Sequence, residues 1–402
     1  MSDKYNEKAA TMDNFKNLRR GMLFTLSSLA LAVSLSAQAY EFEVGDTTAS
    51  IYGYVKLDMI YDMDAELPPL GFNPAIPLDG TTRDNINGHT QLHAKESRIA
   101  FATSTPTERG ELQTVIEGDF YGGSGDGEEL RLRHAYAQWN GIIAGQTWSN
   151  FGSVLGVNRT VDFKVQPGPG TGARQSQLRY TTGGFSVALE DPSNVGGTVA
   201  DGFAPNGRYV AHSANKNTLP DLTLRYMGKA GNLSYGASGV LRQLEVDDGV
   251  QDDSALGWGV GLEAEYRLTP AVTLRGSITH GDGIGEYLSE SPAAPAYVDP
   301  DTGSVEPITL TGGSVGVRVA AGPGYINLGY GYATADLDDA VNAGVANADL
   351  ANKTFSDLHL NYIWSPMRRV SYGLEVSHQT REIANGDDGD AVRLQGMVMY
   401  HF

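Results

Sequence analysis

The chain has 402 residues, 50 of them glycine and none cysteine, and carries 48 Asp+Glu against 29 Lys+Arg for a net charge of −19. Without cysteine there is no disulfide framework, thiolate zinc site or cysteine nucleophile, and glycine scattered without a three-residue period excludes collagen. The acidic balance argues against nucleic acid as a partner, since that needs a basic face.

At the N-terminus, Lys16, Arg19 and Arg20 precede the apolar run "GMLFTLSSLALAVSLS", which ends in Ala37-Gln38-Ala39. A basic region, a short apolar run and an A-x-A site are the parts of a secretory signal peptide, and the run is short of a full membrane span. Residues 1–39 are therefore expected to be cleaved on export, leaving residues 40–48 as a short periplasmic segment. No later stretch reads as a transmembrane helix, so if the exported chain spans a membrane it does so as a β-barrel.

From residue 49 the period is two. In "IYGYVKLDMIYD" Ile51, Val55, Leu57 and Met59 alternate with Tyr52, Tyr54, Lys56 and Asp58. "ELQTVIEGDFY" sets Leu112, Thr114 and Ile116 against Gln113 and Glu117, and "LGWGVGLEAEYRL" sets Trp258, Val260 and Leu262 against Glu263 and Glu265. Each is a strand with one apolar and one polar face. The connections alternate without a slip between short and long. The short ones are "TPTERG", "NG", "TTGG", "KAGN", "LTP", "AAGPG" and "SPM"; the long ones fall near residues 62–90, 122–129, 148–175, 191–219, 246–255, 282–308, 336–353 and 382–389. That yields sixteen strands over residues 49–402. The fold class is an all-β transmembrane antiparallel barrel with short periplasmic turns and long extracellular loops. Its last strand, "VRLQGMVMYHF", is aromatic and ends in Phe402, the kind of terminus that bacterial outer-membrane assembly reads.

If the apolar face meets lipid, the polar face lines the lumen, because Arg near the bilayer midplane costs roughly 2–4 kcal/mol on the lipid side. On that rule the inward, anion-facing set is Arg98, Arg131, Arg133, Arg179, Arg225, Arg242, Arg275, Arg318, Arg381 and Arg393. Rings of Arg favour anions in pores, and the guanidinium fork pairs two-pronged with carboxylate. Any one of these arginines could instead brace the wall by pairing with inward Glu96, Glu117, Asp119, Glu263, Glu265 or Glu375. The third long connection, residues 148–175, is too long for an idle loop. Its place resembles that of the third loop of sixteen-stranded porins, which folds inward and narrows the channel. That resemblance implies Arg159, Asp162, Lys164 and Arg174 as candidate constriction residues, the competing reading being ordinary exposed loop charges.

No catalytic site, metal or cofactor is expected. His134, His280, His359 and His378 stand in no catalytic motif, and "DDGVQDD" and "NGDDGD" lack the EF-hand order. His89 and His93 lie about 13 Å apart on a strand, too far for one ion, and read as polar surface.

The segments "IYGYVKLDMIYD", "HAKESRIAFATSTPTERGELQTVIEGDFYG", "LRLRHAYAQW", "AGQTWSNF" and "GGFSVALEDP" together resemble the DcaP-like trimeric porins of Gram-negative bacteria, most closely over residues 50–190. The resemblance implies a sixteen-stranded homotrimer in the outer membrane, in contact with its lipids and lipopolysaccharide, that passes small anionic solutes and dicarboxylates in particular. Such proteins often carry a coiled-coil stretch before the barrel; here only "YEFEVGDTTA" stands in that place. A non-selective porin and, more remotely, an outer-membrane barrel enzyme such as a lipase or protease are the competing readings.

Overall fold

The computed structural model describes residues 39–123, 128–250 and 252–402; the expected signal peptide lies outside the described residues. Sixteen antiparallel strands close on themselves. They are β1 (Thr47–Asp62), β2 (Arg98–Thr107), β3 (Gly110–Gly122), β4 (Glu129–Trp139), β5 (Ile142–Trp148), β6 (Arg174–Thr182), β7 (Phe185–Glu190) and β8 (Asp221–Ala230). The second half comprises β9 (Leu233–Asp247), β10 (Asp252–Arg267), β11 (Val272–Asp282), β12 (Thr309–Ala321), β13 (Gly324–Ala335), β14 (Asn352–Met367), β15 (Val370–Ile383) and β16 (Asp388–His401).

Each strand pairs with its neighbours in sequence, and β1 closes the ring. Its first half pairs with β2 (Thr48↔Ser104 to Tyr54↔Arg98) and its second half with β16 (Tyr54↔His401 to Asp62↔Arg393). Phe402 seals this seam, exchanging backbone hydrogen bonds of 3.0 and 3.1 Å with Gly53. Closure leaves no free edge among the sixteen, which is what lets a sheet satisfy its backbone in lipid. Tyr40–Val44 doubles back on β1 as a hairpin arm.

The turns follow from local chemistry. Between β4 and β5, Asn140 and Gly141 both take positive φ, as a two-residue hairpin of the favoured twist requires. The last turn differs from its sequence reading: Ser365, Pro366 and Met367 remain in β14 across a register shift, and the chain reverses at Arg368 and Arg369.

Alternation gives the barrel its two faces. Leu256, Val260, Leu262, Ile278 and Val315 are half or more exposed on the outside, where the bilayer's hydrocarbon replaces water. On the inside, long connections fold against the wall. Three long connections (191–220, 283–308 and 336–351) pack a shared apolar cluster that includes Phe203, Ile284, Tyr287, Leu288, Leu337 and Val345. A small sheet of Ala200–Phe203, Tyr209–Ala211, Ala296–Val298 and Val305–Pro307 ties two of them together. In the first long connection, His89–His93 adds to the end of β1 with Asp58↔His93 paired. That register turns His93 inward to within 3.9 Å of Asp58, so it is buried rather than surface.

Candidate functional site: the inner wall and the third loop

Loop 3, residues 149–173, runs along the inner wall and is held there by three wall carboxylates. Glu190 at the end of β7 accepts from the Asn150 N–H at 2.6 Å and the Ser149 hydroxyl at 2.8 Å. Glu263 on β10 accepts at one oxygen from the Ser153 hydroxyl (2.8 Å) and the Val154 and Leu155 N–H groups (2.7 and 2.6 Å). Glu375 on β15 accepts from the Val161 and Asp162 N–H groups at 2.9 and 3.2 Å. Irregular backbone at membrane depth must find such partners, since an unmet N–H there costs several kcal/mol in principle.

The loop's carbonyls are met in the same way. Lys56 Nζ donates to Val161 O at 2.8 Å, Asn361 to Arg159 O at 2.8 Å, and the Ser314 hydroxyl to Gly156 O at 2.7 Å. Glycine makes room: a Cβ on Gly331 of β13 would run into the Pro167 carbonyl, and one on Gly316 of β12 into the Asn158 side chain.

The fourteen expected residues separate by partner. Arg393 pairs two-pronged with Asp62 at 2.6 and 3.1 Å and reaches Asp162 at 3.3 Å. Arg381 donates to Asn352 Oδ1, Ile76 O and Asn206 O, and Arg242 to Gly196 O while facing Asp221 at 3.5 Å. These three arginines are buried and hold loops. Lys164 pairs with Asp357 at 2.6 Å and bonds Asn73. Burial opposes ionisation of Asp162, but Arg393 and the N–H and charge of Lys164 outweigh it and hold the carboxyl below its ordinary range. Asp162 and Lys164 thus belong to one buried knot joining the first long connection (residues 63–97), loop 3 and strands β14–β16.

A second group leaves positive charge unbalanced. Arg131 forks onto Asp119 (3.0 and 2.8 Å), and Arg133 bonds Glu117 (2.7 Å) and the same Asp119 (2.9 Å). Arg98 approaches Glu117 only to 3.4 Å. Arg174 makes no ion pair among the described residues and lies 5.0 Å over the Trp148 ring, within reach of the charges of Arg98, Arg131 and Arg133. Four cations therefore share two carboxylates. Phe163 of loop 3 stacks on Tyr121 at 5.0 Å, and both rings lie under Arg131, with Phe163 also under Arg133.

A bulge makes this cluster. The β3–β4 register passes from Glu117↔His134 to Gly118↔Leu132, so Arg133 is an extra residue and the facing phase shifts beside it. Arg131, Arg133 and His134 all turn inward, while Leu130 and Leu132 stay exposed outside.

Nearer the short-turn rim, Arg275 pairs with Glu265 at 2.5 Å and donates to Val157 O of loop 3. Arg318 lies 4.3 Å over the Tyr325 ring and makes no ion pair among the described residues. Arg159 sits within range of both charges and of Tyr54. Arg225 pairs with Glu263 at 2.5 Å, and Arg179 is buried beside it.

Comparison with known proteins agrees with this architecture. The family model described as "DcaP outer membrane protein" matches residues 34–300. The outer membrane channel DcaP of Acinetobacter baumannii is similar in structure, with a TM-score of 0.76 and 25% identity over 90% of this chain and 99% of that one. An anion-selective porin from Comamonas acidovorans follows at 0.56 and 13%, covering 89% and 100% of the two chains. The trimer form of OmpT from Vibrio cholerae gives 0.53 and 13%, covering 89% and 99%. No curated protein matches in sequence.

Proposed function

The chain belongs to the DcaP outer membrane protein family, and from that premise we propose that this outer-membrane porin passes small anionic solutes, dicarboxylates among them. The observation that carries the reading is the imbalance beside loop 3, where Arg98, Arg131, Arg133 and Arg174 share only Glu117 and Asp119. Glu375, a wall acid that could have neutralised a further arginine, is instead occupied by the Val161 and Asp162 N–H groups of the loop. An anion passing here meets charge-assisted donors in place of water, and Arg275 and Arg318 continue the cationic wall toward the other rim. Loop 3 is the constriction in this reading, with Phe163 and Arg159 facing the path and Asp162 and Lys164 fixing the loop.

The protein works as a homotrimer, exported by cleavage of residues 1–39 and seated among outer-membrane lipids and lipopolysaccharide. The trimer form of the Vibrio cholerae outer membrane protein OmpT supports the homotrimer by analogy of fold, and the anion-selective porin from Comamonas acidovorans supports the anion reading in the same way. Reversal potentials in a potassium chloride gradient, followed by succinate in place of chloride, test the permeation reading. Anion preference that falls in Arg131→Gln and Arg174→Gln is the expected result. Equal cation and anion permeability in the wild type identifies a non-selective porin instead.

A further inference from the structure

We propose that the inner wall carries a resident site for a small monovalent anion at Arg179, separate from the path along loop 3. Arg179 on β6 is 5% exposed. Its Nε and Nη1 are buried and donate to no protein acceptor, and it forms no ion pair among the described residues. A guanidinium cannot shed its charge by losing a proton at any physiological pH, and a buried charge without partners is among the most costly features a fold can hold.

The nearest carboxylate does not serve it. Glu190 lies within range of the Arg179 charge, yet both its oxygens are taken. One accepts from the Asn150 N–H and the Thr223 hydroxyl, the other from the Ser149 hydroxyl, while the Tyr287 hydroxyl 3.4 Å away gives its proton to Asp221 at 2.9 Å. Glu190 is thus committed to loop 3 and β8, and neither Nε nor Nη1 of Arg179 reaches it. The neighbouring cation repeats the pattern: Arg225 gives one nitrogen to Glu263, while its Nε and Nη1 are also buried and undonated.

The register places a receptive strip between the two. Arg179 stands opposite Ala188 on β7, and Arg225 opposite Ser186 on the same strand. Two guanidinia thus flank small side chains with four N–H-bearing nitrogens that lack acceptors. An anion there accepts hydrogen bonds in which both partners are charged, and it brings the counter-charge that a water in the same place would lack. A single negative charge suits the site because Arg225 is already balanced by Glu263. A halide or a single carboxylate group has the required chemistry.

The full-length protein crystallised from bromide, with data collected at the bromine absorption edge, tests the site directly. An anomalous peak within hydrogen-bond reach of Arg179 is expected, and its loss in Arg179→Gln. Replacing chloride by gluconate at constant ionic strength should lower the thermal midpoint of the wild type and leave that of Arg179→Gln unmoved. Water or empty density at Arg179 in the wild-type bromide map overturns the inference, as does an equal gluconate response in the two proteins. A peak seen only at extreme bromide concentration is an adventitious ion only, and counts against it too. Should Arg179→Gln fail to fold, the wild-type map decides alone. Neither readout depends on which ions the channel conducts, so failure here leaves the permeation reading standing.

Discussion

Arg131 and Arg133 stand two residues apart and share Asp119, but they have different duties. Arg133 is buried between Glu117 and Asp119, whereas the Arg131 side chain is 32% exposed. Arg133→Gln removes the buried bridge between Glu117 and Asp119, leaving Glu117 only Arg98 at 3.4 Å while Arg131 keeps Asp119 paired, a loss of roughly 1.5–3 kcal/mol for hydrogen bonds between charged groups. Its heat-induced unfolding on a gel should shift to markedly lower temperature. Arg131→Gln should unfold near the wild-type temperature while losing anion preference, since Arg133 keeps Asp119 paired. The sequence shows that both residues alternate with leucines, and no more. Which one braces depends on a one-residue bulge, and the alternation reads the same with or without it. The same limit applies to Arg393 and Arg318, alike in sequence phase: one meets Asp62 across the β1–β16 seam, the other only the Tyr325 ring.

At the scale of elements, strands and turns were legible because both are local. Period-two patterning and Gly, Pro or Asn near most reversals gave all sixteen strands, but the last reversal falls at Arg368 and Arg369 and β2 begins only at Arg98, some residues past the expected end of the first long connection. Loop anchoring was not legible, since Glu263 and Val154 lie 109 residues apart and become neighbours only once the barrel closes. That anchor is open to test. Glu263→Gln puts an amide donor against backbone donors, so loop 3 should loosen with the barrel intact. Single-channel records should show higher conductance and more open-state noise than Glu265→Gln, whose carboxylate serves Arg275. The long connection after β11 offers a pH handle. Burial raises the Glu290 carboxyl, and Asp357 and Asp162 add to this against the pull of Lys164, taking it to about 7. An acid raised on folding is neutral below that value and charged above it, so its ionisation weakens the fold as pH climbs from its unfolded value through about 7. Anion current should therefore fall between about pH 6 and pH 8 as this negative charge appears near loop 3. Glu290→Gln should remove that step.

The whole molecule is a closed sheet around a core of loops, and the family resemblance in the first half of the chain was the strongest sequence signal of that plan. The packed cluster of the three long connections escaped sequence reading, because its members are short apolar pieces with no shared period. If three such barrels associate, sedimentation in detergent should give three chains per particle, and unheated samples should migrate well above the boiled monomer. A β-rich monomer would refute the trimer and leave the barrel intact. The β1–β16 seam carries a further consequence, one of timing. Asp62 and Arg393 meet although they lie 331 positions apart in the chain, and such distant pairing is slow because the connecting chain must surrender its freedom first. Until it forms, β1 and β16 are two adhesive borders of an open sheet, ready to join the wrong partner. During biogenesis this chain is thus at greatest risk just before its final strand docks, and an escort that shields those borders matters more to its yield than any single contact in the finished wall.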